Sequence, residues 1–169
     1  MNIARSAVSV ENPPRRSLSP GVRGRKQSSC LGIERIVGNL SEKLIRAGAG
    51  KVEATLPDRQ VWLAIDEEGM DGAFDALGSA LARDAVVTIL GKLLPIETGE
   101  TGEDKCCVLL SLSMAYGRTP AKTGMRDALS AVRGFVNTQS GFLRVREGSE
   151  ELRLSLYLPV LRQARSASF

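Results

Sequence analysis

Histidine is absent from this chain of 169 residues. Without an imidazole, neither a Ser-His-Asp nor a Cys-His nucleophile can be assembled, and no metal can be ligated through histidine. Aromatic residues are scarce, at 4%, which argues against a base-stacking surface. No apolar run approaches the roughly 20 residues of a membrane span. Cysteine is limited to Cys30, Cys106 and Cys107. The adjacent pair points to opposite faces of a strand, a poor geometry for a chelate or a disulfide. One buried and one near-surface thiol in a reduced, cytoplasmic protein is the expectation. No internal repeat and no second domain is visible.

What remains is an ordinary globular composition, 43% hydrophobic and 25% charged, long enough for one domain with a real core. The net charge of +4 is unevenly placed. The first 30 residues hold Arg5, Arg15, Arg16, Arg23, Arg25 and Lys26 against Glu11, a local +5, so the rest of the chain sums to −1. A near-neutral domain lacks the basic face that nucleic-acid binding needs. Residues 1–30, with Pro13-Pro14, Pro20 and scattered Ser and Arg, read as a disordered tail. An Arg- and Ser-rich, acid-poor start also fits an organelle transit peptide. Residues 31–161 read as the domain and 162–169 as a flexible C-terminus.

The domain opens with a helix over Leu31–Ala47, whose stripe is Ile33, Ile36, Val37, Leu40 and Leu44. Strands are predicted over Lys51–Leu56, with Val52, Ala54 and Leu56 inward, and over Gln60–Ile65. A second helix, Glu67–Ala85, carries Met70, Phe74, Leu77, Leu81 and Ala85 on one face. Val86–Ile96 is strand-like, and its Pro95 marks an edge or an end. Lys105–Ser113 is continuously apolar, the mark of a central strand. A third helix, spaced by Met125, Ala128, Leu129, Val132, Phe135 and Val136, stops at Ser140-Gly141. Phe142, Leu143 and Val145 make a short strand, Glu147–Glu150 a turn, and Leu152, Leu154 and Leu156 alternate with polar neighbours in a half-buried strand.

That last module resembles the C-terminal end of the ATP-binding domain of sensor histidine kinases, in the GHKL superfamily. The matching residues are Leu129–Val136, Gln139-Ser140-Gly141 and Tyr157-Leu158-Pro159. Trp62 with Asp66 matches the family's "W-x-x-x-D", Ala82-Arg83-Asp84-Ala85 the end of its asparagine box, and Leu94–Thr98 its "L-T-I-E-T" strand. The resemblance covers roughly residues 31–161. It implies an α/β two-layer sandwich, with a mixed, mostly antiparallel sheet covered on one face by three helices. The second and third helices should pack side by side, and Lys105–Ser113 should lie beside the strand ending at Pro159.

The resemblance also implies where a nucleotide would sit, and there the chain departs from the pattern. The two box asparagines stand at Leu77 and Leu81. The adenine-binding aspartate of the first glycine box stands at Met114, followed by Gly117 and Arg118. The second glycine box reads Gly124-Met125-Arg126-Asp127-Ala128-Leu129, and only Thr119–Thr123 remain where active members carry a long lid. Leu81 offers no oxygen to Mg²⁺, and Met114 no acceptor for an adenine amine. Losing two or three charge-assisted hydrogen bonds of about 1.5–3 kcal/mol each removes most of the about 4–8 kcal/mol that holds a millimolar to micromolar ligand. Leu81, Met114 and Met125 are therefore expected in the core. No catalytic residue, no metal ligand and no cofactor is expected. Asp84, Gly117 and Gly124 are the cofactor-binding candidates if a nucleotide is bound, although a solvated helix-end carboxylate and a turn and a helix-entry glycine are the simpler explanation of them. Single basic residues such as Arg118, Lys122 and Arg133 read as solvated.

Two functions are compatible with these residues. One is a non-catalytic histidine-kinase-like ATPase-domain protein of two-component signalling, binding a kinase helical bundle or a response-regulator receiver. The other is an ATP-binding component with Mg-ATP, phosphorylating a separate His-containing partner, since this chain has no histidine of its own. A decayed kinase fragment is the dull third case.

Overall fold

Ile33, Ile36, Val37, Leu40 and Leu44, spaced as one helical stripe, are all buried and define α1 (Ile33–Arg46). The computed structural model describes residues 27–81, 83–96, 105–116 and 122–161. Leu31 and Gly32, predicted as the first helical residues, belong instead to a strand, β1 (Ser29–Gly32). Residues 27–30, assigned from sequence to the tail, are thus in part ordered, and the rest of that tail lies outside the described residues. The reason is tertiary. β1 has no periodic signal of its own but pairs antiparallel with β3 (Trp62–Ile65), from Ser29 opposite Ile65 to Gly32 opposite Trp62.

The end of α1 is set by backbone chemistry. Gly48 takes φ +103°, its N–H donates to the Ile45 carbonyl, and the Ala49 N–H donates to the Leu44 carbonyl. This pairing of left-handed glycine with two reversed bonds is a Schellman stop. β2 (Lys51–Thr55) follows, mostly exposed.

α2 (Glu67–Ala80) is one turn shorter than its apolar spacing predicts. Leu81 is already extended, with ψ 136°, and Asp84 adopts φ 65°. Tertiary bonds stop the helix: the Asp84 N–H donates to the Gly48 carbonyl (2.9 Å) and the Gly50 N–H to the Ala85 carbonyl (3.0 Å). Continuing α2 through Ala85 would forfeit both bonds.

The main sheet has the order β2-β4-β5-β7-β6, with β4 Val86–Ile96, β5 Lys105–Ala115, β6 Phe142–Glu147 and β7 Glu151–Pro159. β2 runs parallel to β4 and the other pairs are antiparallel. The apolar β5 is central, as its composition predicts, and lies beside β7, as the resemblance implies. β2 reaches only from Val86 to Leu90, so Pro95 sits in the half of β4 that forms an edge. Cys107 is buried and Cys106 half-buried, and burial foremost pushes the Cys107 thiol up. One sheet face carries the buried rows Val87, Met114 and Leu152 and Ile89, Leu112 and Leu154. α1, α2 and α3 (Lys122–Thr138) pack over it, giving the two-layer sandwich.

α3 leads into β6 through two residues with different tasks. Ser140 supplies the left-handed conformation (φ 57°). Gly141 supplies the room, because a Cβ there would stand 2.4 Å from the Tyr157 carbonyl oxygen.

Candidate functional site

α2 and α3 lie against each other along their length, with Phe74 and Phe135 packed edge to face at 6.0 Å between ring centroids. The positions that would carry metal, base and phosphate contacts fall along this seam and at the end of β5. Leu81 is 7% exposed, Met114 0% and Met125 4%, and Leu77 and Ala128 are also buried. All five belong to one continuous core. The expected burial of Leu81, Met114 and Met125 is therefore observed.

Gly124 is exposed in the first turn of α3, where an added Cβ would meet the Ala80 Cβ at 4.0 Å. Asp84 is an exposed turn residue whose backbone N–H is committed to the end of α1. It lies on the turn into β4, apart from the α3 boxes. Its left-handed backbone suits an Asp, whose short polar side chain tolerates that region. Gly117, Arg118 and Ala82 lie outside the described residues. Arg126 and Asp127 are exposed. Among the described residues, no group of three or more His, Cys, Asp or Glu is placed to hold a metal ion.

A groove of about 850 Å³ opens on the other side of α3, between that helix, the end of β5 and the β6–β7 hairpin. None of its described lining residues comes from α2. Its α3 wall is Met125, Arg126, Leu129, Ser130 and Arg133, its hairpin wall includes Val145, Glu147, Glu151 and Leu152, and Tyr116 also lines it. The Tyr116 N–H is tied to the Glu150 carbonyl at 2.9 Å. Its hydroxyl is buried with no hydrogen-bond partner. Burial first, and the Glu147 carboxylate second, push this phenol up to about 12. Glu151, at the rim, accepts from the Ser113 hydroxyl and from Arg153, and these two bonds hold its carboxyl below the usual range.

Sequence reasoning did not find the groove. The spacing of Arg126, Leu129, Ser130 and Arg133 at i, i+3, i+4 and i+7 was the available signal, since these four share one helix face. Elsewhere the polar contacts are structural: Asn39 donates to Asp71 (3.0 Å) and Lys43 pairs with Asp75 (2.5 Å), joining α1 to α2. No helix among the described residues is long and apolar enough to cross a membrane.

No family model and no curated protein matches the sequence. Solved structures do match the fold. A mycobacterial sensor histidine kinase, MprB, superposes with a TM-score of 0.56 at 14% identity, covering 80% of this chain and 99% of that one. The histidine kinase domain of the E. coli osmosensor EnvZ gives 0.53 at 10% identity, covering 88% and 98%. The ATP-binding domain of PrrB from Mycobacterium tuberculosis gives 0.52 at 15%, covering 80% and 99%. The chain thus has the α/β fold of histidine kinase ATP-binding catalytic domains.

Proposed function

We propose that this protein, built on the fold of a histidine kinase ATP-binding domain, serves two-component signalling without using ATP. It works by binding a protein partner, either a kinase helical bundle or a response-regulator receiver. The observation that supports this reading is the burial of Leu81, Met114 and Met125 in one apolar core. Phosphoryl transfer is almost entirely positioning and charge stabilisation. Side chains that are apolar and buried supply neither a Mg²⁺ ligand nor a base contact. With no histidine, the chain contributes no phosphoacceptor imidazole either.

The test is a titration with millimolar Mg-ATP, followed by calorimetry and by thermal melting. No heat and no shift are expected. A ligand present at 100 times its Kd would stabilise the fold by about 2.7 kcal/mol, a shift readily seen in a chain of this size. A rise of a few degrees with Mg-ATP, absent with Mg²⁺ alone, would replace this reading with that of an ATP-binding component acting on a separate histidine-bearing partner. Surface-immobilised protein presented with purified receiver domains and helical bundles tests the second half. Saturable binding to one of the two classes is expected, and its absence for both refutes the partner role.

A further inference from the structure

The groove beyond α3 touches the core at Met125 but takes no described lining residue from α2, and it has a chemistry of its own. Its volume, about 850 Å³, falls in the about 300–1,000 Å³ range of small-molecule sites, which are mostly apolar with a few fixed polar groups. Leu129, Val145 and Leu152 give the apolar surface. Arg126 and Arg133 stand two helical turns apart on the same stripe, about 10.5 Å along the axis, and both line the groove. Neither has an ion-pair or hydrogen-bond partner among the described residues. Glu147 and Glu151 are the acidic groups of the facing wall, and Glu151 is already engaged by the Ser113 hydroxyl and by Arg153. The Tyr116 hydroxyl is buried and unpaired, and buried polar groups are ordinarily paired.

We propose that this groove binds a small amphipathic anion. An aryl or alkyl body rests on Leu129, Val145 and Leu152, one acidic headgroup is held by Arg126 and Arg133, and a small shift of the Tyr116 side chain lets its buried hydroxyl donate a hydrogen bond to an acceptor atom of the ligand. Carboxylate, sulfonate and phosphate monoesters share this chemistry. Glu147 repels a headgroup on the hairpin side and so orients it toward α3. A Mg-triphosphate, with several charges and a metal to coordinate, does not match two guanidiniums facing two carboxylates.

The probe is 8-anilinonaphthalene-1-sulfonate, an aryl body with one anionic head, titrated into the full chain by fluorescence and by thermal melting. Saturable one-site binding in the range of about 10–100 μM, with a rise in Tm, is expected. Replacing both arginines (Arg126→Ala with Arg133→Ala) should weaken it about tenfold or more, since both heads are charge-assisted contacts. Tyr116→Phe should weaken it several-fold. Arg126 and Arg133 are exposed, so the double variant is expected to keep its fold, which the same melt checks. Arg144→Ala with Arg146→Ala, on β6 and outside the groove lining, should leave binding unchanged. The uncharged N-phenyl-1-naphthylamine should be indifferent to the loss of Arg126 and Arg133. The proposal is overturned by non-saturable binding, by fluorescence gain without a rise in Tm, or by an α3 double variant that binds as the native chain does. Displacement of the probe by Mg-ATP overturns it differently, by making the groove a nucleotide site. Mg-ATP alone tests the preceding reading, so the two fail separately.

Discussion

Introducing a carboxyl at Met114, the position where the family resemblance implies one, distinguishes a filled core from a pocket. Met114→Asp places it on β5, at a side chain that is 0% exposed and flanked across the strands by Val87 and Leu152. Losing the burial of the methionine costs about 1.5–3 kcal/mol, and burying a carboxyl without a partner costs about 1–3 kcal/mol more. Those terms apply even when the acid is neutral. Desolvation then raises the folded-state pKa above the unfolded value of about 3.9. The unfolded chain ionises first, so it binds fewer protons and stability falls as pH rises. A rise of three units, typical of full burial, adds about 4 kcal/mol by neutral pH. The total, about 6–10 kcal/mol, rivals the whole stability of a typical domain, about 5–15 kcal/mol. Thermal melts from pH 4 to pH 8 should therefore show the variant folded best near pH 4 and largely unfolded at pH 7. Met114→Leu, close to it in volume, should lose less than about 1.5 kcal/mol at every pH. A Met114→Asp protein that melts at pH 7 within a few degrees of the parent, with a flat pH profile, would refute the core assignment.

Gly141→Ala forces a Cβ against the Tyr157 carbonyl, 2.4 Å away. A loss of about 1–3 kcal/mol in denaturant unfolding is expected, of the size seen for overpacking, whereas Ser140→Gly should be nearly silent. Phe135→Ala, which removes the partner of Phe74 at the seam of α2 and α3, should cost about 3–5 kcal/mol in the same assay. The Tyr116 phenol, pushed up to about 12, should ionise late in an ultraviolet titration. Because its folded pKa lies above the unfolded value, its contribution is lost as pH rises from about 10 to about 12, and Tyr116→Phe should flatten that stretch of the stability curve.

The elements with a strong period were legible. The α1 stripe, the alternation of β7 and the unbroken apolar run of β5 each dictate burial from residues within the element, so sequence alone places them. Ser29–Gly32 was not legible, because Ser-Cys-Leu-Gly has no pattern and becomes a strand only by pairing with β3. The end of α2 was misplaced for the same kind of reason. Its apolar spacing continues to Ala85, but hydrogen bonds to residues about 35 positions earlier cut it at Ala80. At the candidate site, Leu81 and Met114 were readable as core because each is apolar where the resemblance implies a polar contact, and Met125 because it belongs to the apolar spacing of α3. The groove was not, since its α3 wall mixes arginine, leucine and serine like any solvated face. Its other wall arrives from a hairpin that only the folded sheet brings alongside.

The small ribbon of β1 and β3 carries a mechanical consequence. Ser29 pairs with Ile65 at one end of β3, and the Leu161 N–H donates to the Trp62 carbonyl at the other. Both ends of the described chain are thus fastened to one four-residue strand, separated by about 10 Å of strand length. Tension applied between residues 27 and 161 runs through the hydrogen bonds of that ribbon, a shorter path than through the five-stranded sheet. The ribbon acts as a fuse: it should part first and leave the packed helices and sheet intact. In a single-molecule pull this predicts an early, low-force release before the core unravels.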